Sequence, residues 1–124
     1  MDIMTFLTAR LDEDEAAAEA CLSADPAKRE ESGHWNVYLE GGEDGWAFEA
    51  ASGGLGAIVE DEELAAHIAR HDPARVLREV AAKRVLLVDA TGVPTITMRR
   101  ALRCVAAAYA EHPDYDPAWA VTAP

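Results

Sequence analysis

Between His34 and Ala50 the apolar residues of this chain recur at every second position, whereas on both sides they recur every three or four. In HWNVYLE, Trp35, Val37 and Leu39 alternate with Asn36, Tyr38 and Glu40. In GWAFEA, Trp46, Phe48 and Ala50 alternate with Ala47 and Glu49. A period of two sends successive side chains to opposite faces of a strand, and a period of 3.6 stacks them on one face of a helix. The connector GGEDG (residues 41–45) is a glycine-rich loop of hairpin length. A lone hairpin is marginal in water, and the apolar run LGAIV after SGG can supply a third strand. The switch of period predicts an α+β chain: an N-terminal helix, a small antiparallel two- to three-stranded meander, then two to three packed helices. Trp35 and Trp46 are expected as core anchors of that sheet rather than as a ligand cage.

The flanking segments read as helices. From Ile3 to Leu22 one side collects Ile3, Leu7, Leu11, Ala18, Cys21 and Leu22, with Met4 at its margin. The end falls near Ser23-Ala24-Asp25-Pro26, and a polar link, AKREESG, follows. Asp61 caps a short helix whose first turn holds Glu62 and Glu63 and whose inner stripe is Leu64 and Ile68. Asp72-Pro73 opens the next, with Asp as N-cap and Pro at the first helical position. That helix runs through ARVLREVAAKRVLLV, although RVLLVDATG also reads as a strand entering a turn. DATGVP breaks the pattern, and Thr95 or Thr97 starts a last helix through Tyr109. The tail EHPDYDPAWAVTAP is turn-rich, with one helical turn after Asp116-Pro117.

At 124 residues the chain is expected to form a single domain, 1–124. A domain of that size buries roughly two thirds of its unfolded surface, so no metal or disulfide is needed for a core. Cys21 and Cys104 form no framework and are expected as reduced thiols. No apolar run of about 18 residues spans a membrane, and the start lacks the basic region of a signal peptide. A cytoplasmic location follows as the expectation. The net charge of −12 is uneven. Residues 1–32 carry nine acids and three bases (−6), residues 33–60 five acids and no base (−5), and residues 61–124 nine acids and eight bases (−1). Such a field repels phosphate and disfavours direct nucleic-acid binding.

Four features bear on chemistry. His67 and His71 are one helical turn apart, a spacing that chelation requires, but a zinc site needs three or four protein ligands. No cysteine is near, and HExxH is absent. The plainer reading is a helix corner, with His71 closing one helix and Asp72-Pro73 opening the next. Second, Arg84 lies in the middle of an apolar arc formed by Val76, Leu77, Val80, Ala81, Leu87 and Val88. Asp14 faces the apolar side of the first helix. Each charge alone is costly to bury, which suggests an ion pair, the wall of a polar pocket with His67 and His71, or a snorkelling Arg84. Third, the last helix puts Met98, Leu102, Val105 and Tyr109 on one side and Arg99, Arg100 and Arg103 on the other. That arginine face is either a solvated surface or a contact surface. Fourth, Tyr115 and Trp119 either fold back as apolar plugs or project as a hook for a partner. No GxSxG and no cysteine–histidine arrangement supports nucleophilic catalysis, and the acids of LDEDEAAAEA read as a solvated helix face.

The segments FLTARLDEDE, AAHIARHDPARVLREVAAKR and YAEHPDYDPAW resemble a family of short uncharacterised actinobacterial and actinophage proteins, a domain of unknown function. The resemblance covers about half the chain. It implies an intracellular actinobacterial or prophage origin and no known activity. It also implies that many relatives carry cysteines after the AAKR helix, where this chain has VLLVDATGVPTITMRRAL and no cysteine before Cys104.

The function expected from these readings is that of a non-enzymatic, acidic, intracellular accessory protein acting by protein–protein contact. Its partner is another protein or a second copy in a homodimer, and its surface is Arg99, Arg100, Arg103, Tyr115 and Trp119. No cofactor and no metal are expected. The alternatives are an acidic nucleic-acid mimic that occupies a basic DNA-binding protein, and a small-ligand or metal site at His67, His71 and Arg84.

Overall fold

Short side chains that accept hydrogen bonds from the first free backbone N–H groups set the helix starts along this chain. Asp61 Oδ1 accepts from the N–H of Glu63 at 2.8 Å and of Leu64 at 3.4 Å. Asp72 Oδ1 accepts from Arg75 N at 2.8 Å. Thr95, rather than Thr97, caps the last long helix, its Oγ1 accepting from Met98 N at 3.1 Å. Asp116 Oδ1 accepts from Ala118 N at 2.9 Å.

The computed structural model describes residues 1–39, 45–53, 55–122 and 124. Most of the expected hairpin connector 41–45 lies outside them. In chain order the elements are α1 (Ile3–Ala20), α2 (Arg29–Ser32), β1 (Trp35–Leu39), β2 (Trp46–Ala50), β3 (Leu55–Val59), α3 (Glu62–Arg70), α4 (Pro73–Asp89) and α5 (Ile96–Ala107). A 3₁₀ turn follows at Pro117–Trp119. This is the expected α+β order. RVLLVD belongs to α4, and α2 occupies part of what reads as a polar link. No helix among the described residues is long and apolar enough to cross a membrane. The chain divides into two compact units, Glu15–Arg78 and Met1–Asp14 with Glu79–Pro124.

In the unit Glu15–Arg78 the strands form an antiparallel meander in the order β1-β2-β3. Trp35 sits opposite Ala50, Val37 opposite Phe48 and Leu39 opposite Trp46. Phe48 faces Ala57 whereas Glu49 faces Leu55, so Gly56 is an extra residue that bends the edge strand. The Trp35 and Phe48 rings stack at 5.0 Å across the diagonal of one face. Trp35, Trp46 and Phe48 are only half-buried, contrary to the core role expected of Trp35 and Trp46. Ala47, on the other face, is 0% exposed. The helix packed on the sheet is α3, and its buried residues are Ala65 and Ala69 rather than the expected Leu64 and Ile68. Leu64 is 49% exposed. Alanines let a helix approach a sheet closely, so the smallest side chains, not the largest, define this contact.

The corner between α3 and α4 fastens β1. His71 closes α3, its backbone N–H donating to the carbonyls of His67 and Ile68. Asp72 then serves two elements, since its Oδ2 also accepts from Trp35 N at 3.2 Å. Ala74 N donates to Gly33 O at 2.9 Å. A Cβ on Gly33 would meet Leu22 Cδ2 at 3.1 Å and Ala74 N at 3.4 Å, so a bare backbone is what allows this approach. Cys21, expected on the inner stripe of α1, lies past its end and is exposed.

The unit Met1–Asp14 with Glu79–Pro124 holds the larger apolar residues. Phe6, Leu7, Leu11, Val80, Leu87 and Leu102 are buried there. Val88 belongs to the expected inner arc of α4 but is 68% exposed, and Ala81 is exposed as well. Replacing the shared carboxylate of the corner, Asp72→Ala, removes a cap and strands the N–H of Trp35. The expected loss is about 1–2 kcal/mol in a urea melt, against about 1 kcal/mol for Asp61→Ala, which serves only its own helix.

Candidate contact surface

Phe6, in the first turns of α1, is 0% exposed and lies within a ring of aromatic side chains. Its centroid is 6.3 Å from Tyr109, 5.8 Å from His112, 6.1 Å from Tyr115 and 5.0 Å from Trp119. Tyr115 and Trp119 meet edge to face at 5.7 Å. Four of these five contacts have the edge-on geometry that ring quadrupoles favour, and the Phe6–Trp119 pair is tilted. The tail is thus folded back onto α1, as the plug reading of HPDYDPAW expects, and both Tyr115 and Trp119 are half-buried.

A charge is enclosed beside this ring. Arg10 is 6% exposed, and its guanidinium carbon stands 5.2 Å from the Phe6 centroid. Nη2 donates to Glu13 Oε1 at 2.7 Å, and Nη1 donates to His112 Nδ1 at 2.8 Å and lies 3.9 Å from Asp114 Oδ2. The Asp114 N–H also points at His112 Nδ1, at 3.1 Å. An arginine can only donate, so Nδ1 must accept from both neighbours, which leaves the ring proton on Nε2. Arg10 Nε is buried and has no partner among the described residues. A buried cation is tolerated only when paired, and Glu13, His112 and Asp114 supply that pairing together with the face of Phe6.

Asp14 belongs to the same unit, where its Oδ2 accepts from Tyr109 Oη at 2.6 Å. Arg84 Nη2 donates to Asp12 Oδ1 at 2.9 Å. Asp14 thus meets Tyr109, and Arg84 meets Asp12. His67 and His71 lie in the other unit, both exposed, with ring centroids 4.4 Å apart. His71 Nδ1 donates to the carbonyl of His67 at 2.8 Å, which ties the ring to the helix end. Among the described residues no group of three or more His, Cys, Asp or Glu is placed to hold a metal ion.

Arg99, Arg100 and Arg103 are all exposed on α5. Among the described residues none of their side chains makes a hydrogen bond or ion pair. They converge on a cavity of about 440 Å³ completed by Ile96, Ala120, Val121 and Thr122. Arg99 and Arg103 also border a second cavity of about 310 Å³, walled by Ile3, Met4, Ala90, Pro94, Leu102 and Trp119. Arg99 and Arg103 thus border both cavities, and Trp119 lines the smaller one. Tyr115 packs against Phe6 and Trp119.

The geometry defines a small α+β protein in which a cationic helix, without a counter-charge among the described residues, lies beside an aromatic-anchored tail. The chain belongs to a family of unknown function, DUF6221, whose profile matches residues 1–121. Among curated proteins and solved structures nothing matches it.

Phe6→Ala empties the centre of the ring and is expected to cost about 3–5 kcal/mol in a denaturant melt. A second outcome concerns alkaline pH. Burial, then the hydrogen bond and negative charge of Asp14 and the charge of Glu79, raise the ionisation of the Tyr109 phenol well above the ordinary value of about 10. A group held neutral in the fold contributes stability that is complete below its unfolded pKa and is lost as pH rises through the folded one. Stability should therefore fall above about pH 10. Tyr109→Phe should flatten that fall, and the phenolate absorbance missing from that variant should be a component that appears above the ordinary tyrosine range.

Proposed function

We propose that this chain acts by contact with another protein, or with a second copy of itself, and not by catalysis. It works in the cytoplasm of an actinobacterium or in the service of a prophage. The contact surface is the α5 face of Arg99, Arg100 and Arg103 with Trp119 at its edge and Tyr115 supporting it. The observation that carries this reading is the lack of any counter-charge for those three arginines among the described residues, in a chain whose net charge is −12. Like charges one turn apart on a helix repel by a few tenths of a kcal/mol, a cost that an acidic partner surface cancels. Exposed Val85 and Val88 on α4, and exposed Val93 and Ile96 before and at the start of α5, add apolar surface in the same unit.

Crosslinking in the native cell, read by mass spectrometry, and light scattering of the purified chain test this. A crosslinked partner or self-pair is expected, with its yield reduced about tenfold or more by R99E/R100E/R103E, a loss of about 1.4 kcal/mol. A strictly monomeric chain without a crosslinked partner, or a partner held equally well by the triple variant, overturns the reading.

A further inference from the structure

We propose that the paired cavities at α5 are a receptor for a short acidic segment of a protein partner, one with an aliphatic residue set among its carboxylates. This rests on the contact reading above and names the chemistry that the surface recognises. The two cavities share Arg99 and Arg103 but differ in character. The larger adds Arg100 and the hydroxyl of Thr122, with Ile96, 86% exposed, and Val121 as its apolar part. The smaller is walled by Ile3, Met4, Pro94, Leu102 and Trp119. A guanidinium presents a planar fork of donors that matches a carboxylate, frequently in a two-point contact. Three forks within one helical turn accommodate two or three neighbouring carboxylates, and the apolar hollow beside them accommodates one uncharged side chain.

Charge decides between occupants. Residues 90–110 contain three bases and no acid, +3, while the remainder of the chain sums to −15 (−12 − 3). At physiological salt, charges more than about 8 Å apart are largely screened. A segment of a few residues therefore senses mainly the local arginines. A nucleic-acid duplex carries a charge about every 1.7 Å, far more than three arginines can match in a chain whose other residues sum to −15. A lone phosphate satisfies the arginines but leaves the apolar hollow empty. An acidic segment with an aliphatic anchor fills both.

The test uses the full chain and the capped probe peptide Glu-Glu-Leu-Glu-Glu, followed by amide NMR shifts. Shifts are expected at Ile96, Arg99, Arg103, Trp119 and Val121, with affinity falling as salt rises. R99Q/R100Q/R103Q should weaken the peptide about tenfold or more, and Thr122→Glu, which keeps every arginine and adds repulsion at the rim, should weaken it too. Exchanging the peptide leucine for alanine should weaken it several-fold. Pyrophosphate binding as tightly as the peptide, indifference to the leucine, tighter binding of duplex DNA, or shifts confined elsewhere each overturn the proposal. Failure of the peptide while the crosslinked partner remains sensitive to R99E/R100E/R103E sinks the receptor and spares the contact reading. Loss of both sinks both.

Discussion

The contact of the Phe6 ring with Trp119, at 5.0 Å, is what the candidate surface depends on. Trp119 lies between Asp116, which caps its turn, and Val121 and Thr122, which complete the rim of the larger cavity. Without an enclosed aromatic on α1 the tail has no seat, and the arginines of α5 face open water rather than a walled hollow. Arg10 reinforces that seat from the side, bonding His112 and reaching Asp114 on either side of Pro113. A buried cation is an expensive choice for this purpose. Its donors can be satisfied only by a chain segment that carries acceptors at the right places, so the arrangement selects the tail's position as well as stabilising it.

Helix starts were legible because capping is local. Asp61, Asp72 and Asp116 each accept from an N–H two or three residues on, which a sequence displays directly. The folding back of Tyr115 and Trp119 followed from their apolar bulk in a turn-rich tail. The covered face of the sheet was not legible. Alternation locates two faces, but nothing in GWAFEA says that Ala47, rather than Trp46 or Phe48, is the fully buried residue. The partner surface, Ala65 and Ala69, is equally inconspicuous. Arg10 was missed for another reason. It follows Ile3 by seven residues, about 20° away around the helix, so it sits on the same inner stripe as Asp14. A charged residue there reads as a margin until His112 and Asp114, about a hundred positions later, supply its partners.

The histidine corner illustrates how a chemical pattern can be fully used by structure. His71 donates along its own helix end, and Asp72 ties α4 to β1. The arginine face is the reverse case. A run of exposed cations is unremarkable in sequence, and it gains meaning from the neighbouring tail and from the missing counter-charge among the described residues.

The seating of Trp119 on Phe6 joins positions 113 apart (119 − 6) in a chain of 124. Contacts so distant in sequence form only after a nearly chain-length loop has closed, and topologies rich in them assemble slowly. The meander and its helix corner, by contrast, are joined by contacts between near neighbours and by the bond between Trp35 and Asp72, 37 positions apart. Refolding should therefore order the sheet before the tail, so that the cationic hollow is the last part of the molecule to acquire its shape. In a variant with Trp35 and Trp46 replaced by phenylalanine, the fluorescence of Trp119 would report that final step. Backbone protection in β2 that lagged behind it would reverse the order.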